Sequence, residues 1–118
     1  MNKLSIFASM MMMMCLPMMA QKNGSKAQVK PDPNFQIYLC FGQSNMEGNA
    51  AIEDIDRTGV NPRFVAIYAV DDEKAGWKKG QWHTAVPPQA RPSTGLTPVD
   101  YFGRKMVDNL PDSIKVGT

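Results

Sequence analysis

The sequence predicts an α/β domain built on a parallel sheet. Two apolar segments rich in β-favouring residues, 35–41 and 64–70, stop abruptly at polar or glycine-containing turns. A segment with helical apolar spacing follows at 97–110, and a further strand begins at 114–117. This order is typical of parallel sheets, because parallel neighbours need crossover connections. The length of 118 residues allows one small domain.

Residues 1–20 are predicted to form a secretory signal peptide. Lys3 supplies a positive start, 6–19 is an almost unbroken apolar run, and Ala20 offers a small residue at a cleavage point. The run is short for a membrane span, although an uncleaved anchor is the alternative. A lipoprotein signal at Cys15 fits less well, because methionines precede it where a small residue is expected. We therefore expect a secreted or periplasmic protein with no membrane contact after cleavage.

The predicted domain begins after a flexible leader. Residues 21–34 are polar, lack periodicity and end in a proline-rich turn. The first strand, 35–41, is apolar on both alternating faces apart from Gln36, which predicts a sheet covered on both sides. The domain is assigned to residues 35–118.

The middle of the chain is less regular. Residues 50–61 fit a short helix or a loop equally well, and 71–74 forms a charged, solvated turn after the second strand. The stretch 75–95 holds several glycines and prolines, and a loop of this length usually lines a site. Its tryptophans, Trp77 and Trp82, either plug the edge of the core or form a wall for a ligand.

The long helix has clear boundaries. Thr97 is a good N-cap, Pro98 suits the first helical position, and Asp100 can complete a capping box. Pro111 ends the helix. One face carries an apolar stripe at helical spacing, composed of Val99, Phe102, Met106, Val107 and Leu110.

Charge and cysteine content exclude several functions. Removal of Lys3 with the signal leaves 12 basic against 11 acidic residues, and the absence of a basic run argues against nucleic-acid binding. Cys40 would then be the lone cysteine, which predicts a small buried apolar residue. No spacing of histidines, cysteines and acids predicts a metal site, and no phosphate loop or other pattern calls for a cofactor. No pattern indicates an oligomeric state.

The candidate chemistry centres on Ser44. This serine follows the first strand inside a polar turn bracketed by Gly42 and Gly48, where a buried strand would deliver a hydroxyl to the rim of the sheet. A serine hydroxyl becomes a good nucleophile when a base takes its proton and donors stabilise the oxyanion. Gly-x-Ser by itself is a weak signal, because glycine and serine are common in turns.

The longer sequence around Ser44 is more specific than Gly-x-Ser alone. Residues 41–48, Phe-Gly-Gln-Ser-Asn-Met-Glu-Gly, resemble the nucleophile block of SGNH-type hydrolases in the sialate O-acetylesterase and acetylxylan esterase branch. Residues 92–103 resemble the second block of that family, a glycine leading into a helix. The resemblance implies a three-layer α/β sandwich, present here only in part, and hydrolysis of acetyl esters on carbohydrate without a cofactor.

The resemblance also implies roles for individual residues. Ser44 matches the nucleophile, and its own N–H would be one oxyanion donor. Gly95 matches the glycine whose N–H is a second donor. Gln43 and Asn45 flank the serine, and their amides are expected to hold the turn together rather than to contact substrate.

The general base of the family has no match in this sequence. The family places an aspartate and a histidine near its C-terminus, and no such pair occurs within the 118 residues. His83, the only histidine, is therefore considered as a substitute base. It is expected to border the serine loop together with Trp82, but no aspartate stands a few residues before it, as in the family. We therefore expect the N-terminal part of an esterase domain that is inactive alone. The alternative is a non-catalytic fragment that at most binds acetylated glycan.

Overall fold

The computed structural model describes residues 29–118, of which Pro31–Thr118 form one compact unit. The predicted signal peptide and most of the predicted leader lie outside the described residues. Neither described helix has the length and apolar content needed to cross a bilayer.

Within residues 29–118, four short strands form one mixed sheet. They are β1 (Phe35–Ile37), β2 (Phe64–Ile67), β3 (Trp82–Thr84) and β4 (Lys115–Gly117), arranged in the order β1-β4-β2-β3. β4 pairs in parallel with both β1 and β2, as predicted, but β3 is antiparallel to β2. The expected parallel sheet is therefore mixed, and its antiparallel edge lies inside the segment predicted to be irregular.

The first two predicted strands, 35–41 and 64–70, are shorter in the structure. The first ends its ladder at Ile37, although the Tyr38 N–H still donates to the Gly117 carbonyl over 2.8 Å. The second ends at Ile67 instead of Val70. The ladders shorten because the neighbouring strands β3 and β4 offer only three residues each for pairing.

The predicted long helix is confirmed as α2 (Pro98–Asn109). The Thr97 hydroxyl accepts the Val99 N–H, and the Asp100 carboxylate accepts the Thr97 N–H, which completes the predicted capping box. Buried Val99 and Val107 face the sheet, where they join a core made of Phe64, Ala66, Ala85 and Val116. Two shorter elements are α1 (Ser44–Glu47) and a 3-10 turn at Asp54–Arg57. The 3-10 turn lies in segment 50–61, which the sequence fitted equally well to a short helix or a loop.

The opposite face of the sheet is uncovered within residues 29–118. Leu39 is 89% exposed and Ile37 62% exposed, while Trp82 packs edge-to-face on Phe35 on the same side. The prediction of a sheet covered on both sides is therefore wrong for the described residues. The α/β class is confirmed, with one helical layer on one face, and the three-layer sandwich stays a prediction.

Candidate active site

Ser44 occupies the first position of α1, a few residues after β1 ends. The Gln43 carbonyl precedes it and accepts the N–H groups of Met46 and Glu47 at 2.8 and 2.9 Å. Amides at the start of a helix have no partner within the helix, and among the described residues those of Ser44 and Asn45 donate to no acceptor. The serine side chain is exposed. The strand and turn thus deliver a hydroxyl and two free N–H groups to the protein surface.

The serine turn is closed by a small set of hydrogen bonds. The Ser44 carbonyl accepts the Gly48 N–H at 3.1 Å and the Asn49 side-chain amide at 2.9 Å. Within residues 29–118 the side chains of Gln43 and Asn45 bond to no other group. The expectation that these two amides hold the turn together is therefore wrong; Asn49 has that role.

Gly95 lies directly against the serine turn. Its N–H donates to the Gly48 carbonyl over 2.9 Å, and the next amide, of Leu96, donates to the Ala50 carbonyl over 2.8 Å. A β-carbon at Gly95 would overlap the Ala50 carbonyl oxygen, so only glycine allows this approach. The two predicted blocks therefore meet in space. However, the Gly95 N–H is already bonded to protein, so the prediction of a free oxyanion donor fails in this conformation.

A shallow cavity of about 380 Å³ surrounds Ser44. Its titratable groups are few: Cys40, whose thiol pKa is raised by burial, and Glu47, which forms an ion pair with Arg91. The remaining lining comes from Gly42, Gln43, Met46 and Ala90. Asn45 lines a neighbouring cavity beside Asn49 and Leu96. Within the part of the chain that the structure describes, no histidine lines the Ser44 cavity.

His83 belongs to a separate aromatic cluster. Its ring stacks on Trp77 with centroids 3.7 Å apart and meets the edge of Tyr68 at 4.7 Å. Nδ1 donates to the Thr84 carbonyl at 3.0 Å, while burial lowers the pKa of the imidazole. Trp82 lies on the uncovered sheet face instead. The structure therefore brings neither His83 nor Trp82 into the lining of the Ser44 cavity.

The geometry of the two blocks agrees with a comparison to known families. A family model described as "Carbohydrate esterase, sialic acid-specific acetylesterase" matches residues 34–117. The chain belongs to this family. The match spans the serine turn, Gly95 and α2, and the family suggests acetylesterase activity on carbohydrate. No solved structure matches the chain.

One buried network of side chains, which includes Gln89 and Asp100, was not predicted. The Gln89 side-chain amide donates to the Asp100 carboxylate at 2.6 Å, and the Thr118 hydroxyl donates to the other end of the Gln89 side chain at 3.3 Å. This ties the start of α2 and the end of β4 to the segment whose next residue, Ala90, lines the Ser44 cavity. Burial raises the Asp100 pKa, against the effect of these hydrogen bonds. The capping pattern in the sequence indicates Asp100, but no local pattern indicates Gln89.

No group of three or more metal-ligating side chains occurs within residues 29–118.

Proposed function

We propose that the chain is a serine esterase that removes acetyl groups from carbohydrate, with Ser44 as the nucleophile. The observation that supports this most directly is the exposed hydroxyl of Ser44 at the start of α1, inside the range that matches the esterase family.

The reaction proceeds in two steps. Ser44 Oγ bonds to the acetyl carbonyl carbon, and its proton passes to a base. The bond from that carbon to the sugar oxygen then breaks, and the sugar leaves as the alcohol after taking up a proton. Water next attacks the acetyl-serine, which releases acetate and restores the hydroxyl.

The oxyanion formed in each step would be stabilised by the free N–H groups of Ser44 and Asn45. Each such donor is typically worth about 3 kcal/mol in a site that excludes water. The Gly95 N–H could join them only by giving up its bond to the Gly48 carbonyl.

In the described part of the chain no histidine lines the Ser44 cavity, so the role of proton acceptor is left open. Glu47 is paired with Arg91, and His83 is packed among aromatic rings outside the cavity. We therefore keep a second candidate, in which the chain binds acetylated glycan without turnover. Loss of a triad base typically lowers turnover about a millionfold, so the two candidates differ greatly in expected rate.

One experiment separates them. The chain is incubated with O-acetylated sialic acid and, in parallel, with acetylated xylan, and free acetate is measured for wild type and Ser44→Ala. Acetate release that disappears in the variant supports the esterase and shows which sugar carries the acetyl group. Binding without acetate release supports the second candidate.

The same measurement is repeated with added imidazole, which can act as an external base. Imidazole-dependent acetate release that requires Ser44 would show a competent nucleophile that lacks a base. Release that persists unchanged in Ser44→Ala would contradict the assignment of the nucleophile.

We also propose that the protein is exported to the periplasm or the exterior after cleavage behind Ala20. The support is the charged start and apolar run of residues 1–20. N-terminal sequencing of the protein recovered from its native cells tests this, and a mature chain that begins at Met1 would contradict it.

A further inference from the structure

We propose that a second cavity, the Trp77 cleft, binds one sugar ring of the carbohydrate substrate. We define this cleft by Arg57, Glu73, Trp77 and a proline-rich wall formed by Pro87, Pro88 and Pro92. It is open and holds about 800 Å³, which falls within the usual range for small-ligand sites. The ligand class rests on the proposed function, whereas the site itself is separate from the Ser44 cavity.

Trp77 is held firmly in place. Its N–H and carbonyl exchange two hydrogen bonds of 2.9 Å with the backbone of Asp72. One face of the indole stacks on His83, and the ring also meets the edge of Tyr68 at 4.8 Å. Trp77 lines the cleft, whereas His83 and Tyr68 do not. An aromatic surface fixed before binding loses little conformational entropy when a ligand packs on it.

The polar groups around this indole suit a polyhydroxylated ligand. The Arg57 guanidinium uses Nη1 to hold the Pro87 carbonyl at 2.7 Å and has further N–H groups for acceptors. Glu73 is exposed and supplies acceptor oxygens. Asp72 instead accepts the Lys74 and Ala75 amides at 3.0 and 3.1 Å, so it fixes the turn that carries Trp77.

A pyranose ring matches this arrangement. It presents C–H groups on its flat faces and hydroxyls around its rim, so it can pack on an indole while its hydroxyls reach donors and acceptors at the edge. The lining carries both signs of charge, since Arg57 and Lys74 are basic and Asp71, Asp72 and Glu73 are acidic. This mixture favours hydroxyls over a single strongly charged group.

The cleft is linked to the Ser44 cavity by one segment. Ala90 lines the serine cavity, and Pro92 and Ser93, which follow it closely, line the Trp77 cleft. A glycan could therefore place its acetylated unit at Ser44 and another unit on Trp77. The role of the cleft is to hold the chain of sugars, not to take part in the reaction.

Binding of unacetylated oligosaccharides tests this role without involving the esterase reaction. Xylohexaose and 3′-sialyllactose are titrated separately into the Ser44→Ala protein, and the dissociation constant is measured by calorimetry. We expect Trp77→Ala to weaken binding about tenfold. The matched variant Trp82→Ala, which removes an indole outside the cleft, should bind like the parent.

A second variant covers the case in which Trp77→Ala unfolds. Arg57→Gln keeps the aromatic cluster and should weaken binding about threefold, since it removes a charged donor. Failure of both sugars to bind the parent protein, or equal affinities in parent, Trp77→Ala and Arg57→Gln, would overturn the inference. Because no acetyl group is present, these outcomes are independent of whether wild type releases acetate.

Discussion

The Gly95 amide donates a hydrogen bond to the Gly48 carbonyl over 2.9 Å, and this bond joins the serine turn to the segment that leads into α2. Gly48 has a φ of +99°, a backbone conformation that residues with side chains rarely adopt. Two glycines from distant parts of the chain therefore place Ser44 beside the start of the helix. They act through backbone contact, which explains why both positions carry no side chain.

Gly95→Ala should destabilise the protein and reduce acetate release. The added methyl group would overlap the Ala50 carbonyl oxygen and push the two segments apart, with an expected loss of about 2–4 kcal/mol in the free energy of unfolding. Urea unfolding measures this loss. Gly80→Ala is the control, because its φ is +76° but nothing lies near the new methyl group, so only strain of about 1–2 kcal/mol is expected. Equal losses for the two variants would contradict the close-contact explanation.

Gly103→Ala should destabilise the contact between α2 and the sheet. Alanine normally favours a helix over glycine by about 1 kcal/mol, but here the new methyl group would overlap the Phe64 ring. Overpacking typically costs about 1–3 kcal/mol, so we expect a net loss in thermal stability. The double variant Gly103→Ala with Phe64→Leu should lose less than the sum of the two single changes. Full additivity would show that the two residues do not meet.

Arg63→Lys should loosen the end of α2. The guanidinium donates to three carbonyls, those of Val107, Pro111 and Ile114, at 2.7, 3.1 and 2.8 Å. A lysine ammonium cannot match this planar arrangement, so we expect a loss of about 1–3 kcal/mol in the free energy of unfolding.

The control for Arg63→Lys is Asp112→Asn. Asp112 is fully exposed and pairs with Arg63 at 3.3 Å, so its neutralisation should change stability by less than about 1 kcal/mol. A larger effect from Asp112→Asn than from Arg63→Lys would show that the ion pair, not the set of carbonyl bonds, holds this region.

The Tyr101→Phe substitution should make the free energy of unfolding less dependent on pH in the acid range. The Tyr101 hydroxyl donates to the Asp56 carboxylate at 2.6 Å, and this bond, followed by the Glu53 N–H, lowers the Asp56 pKa from its ordinary value of 3.8. A lowered pKa contributes stability above pH 3.8, and that contribution is lost as the pH falls through the folded-state pKa.

Thermal melts between pH 7 and pH 2.5 test this linkage. Wild type should exceed Tyr101→Phe in stability at pH 7, and the difference should shrink at the acid end. A difference that stays constant across the range would show that Asp56 is not the titrating partner. Lys105→Ala, an exposed change on α2, serves as the control.

Local patterns predicted the helix well and the strands in part. The capping residues Thr97 and Asp100 lie within a few positions of the helix start, so their signal is readable without knowing the fold. β3 was missed because its three residues, Trp82–Thr84, carry no period and lie among glycines and prolines. Apolar residues on both faces of the first strand predicted that both faces are buried. Whether a face is buried depends on which helices pack against it, and this cannot be read from the strand.

The candidate site, too, could be predicted from the sequence only in part. The residue order around Ser44 indicates the nucleophile and the family, and the family match is consistent with it. The pairing of Glu47 with Arg91 and the bond between Gln89 and Asp100 have no counterpart in any local pattern. They connect segments that only the fold brings together.

The sequence by itself determined the esterase family, the serine turn that follows the first strand and the capped helix, because each depends on residues that are neighbours in the chain. The tertiary structure alone decided that the Gly95 N–H is bonded to Gly48 and that His83 stacks on Trp77 outside the Ser44 cavity. Both outcomes follow from the strand order and from backbone contacts between distant segments. Such contacts form only when the sheet and α2 pack together, so no short-range pattern encodes them.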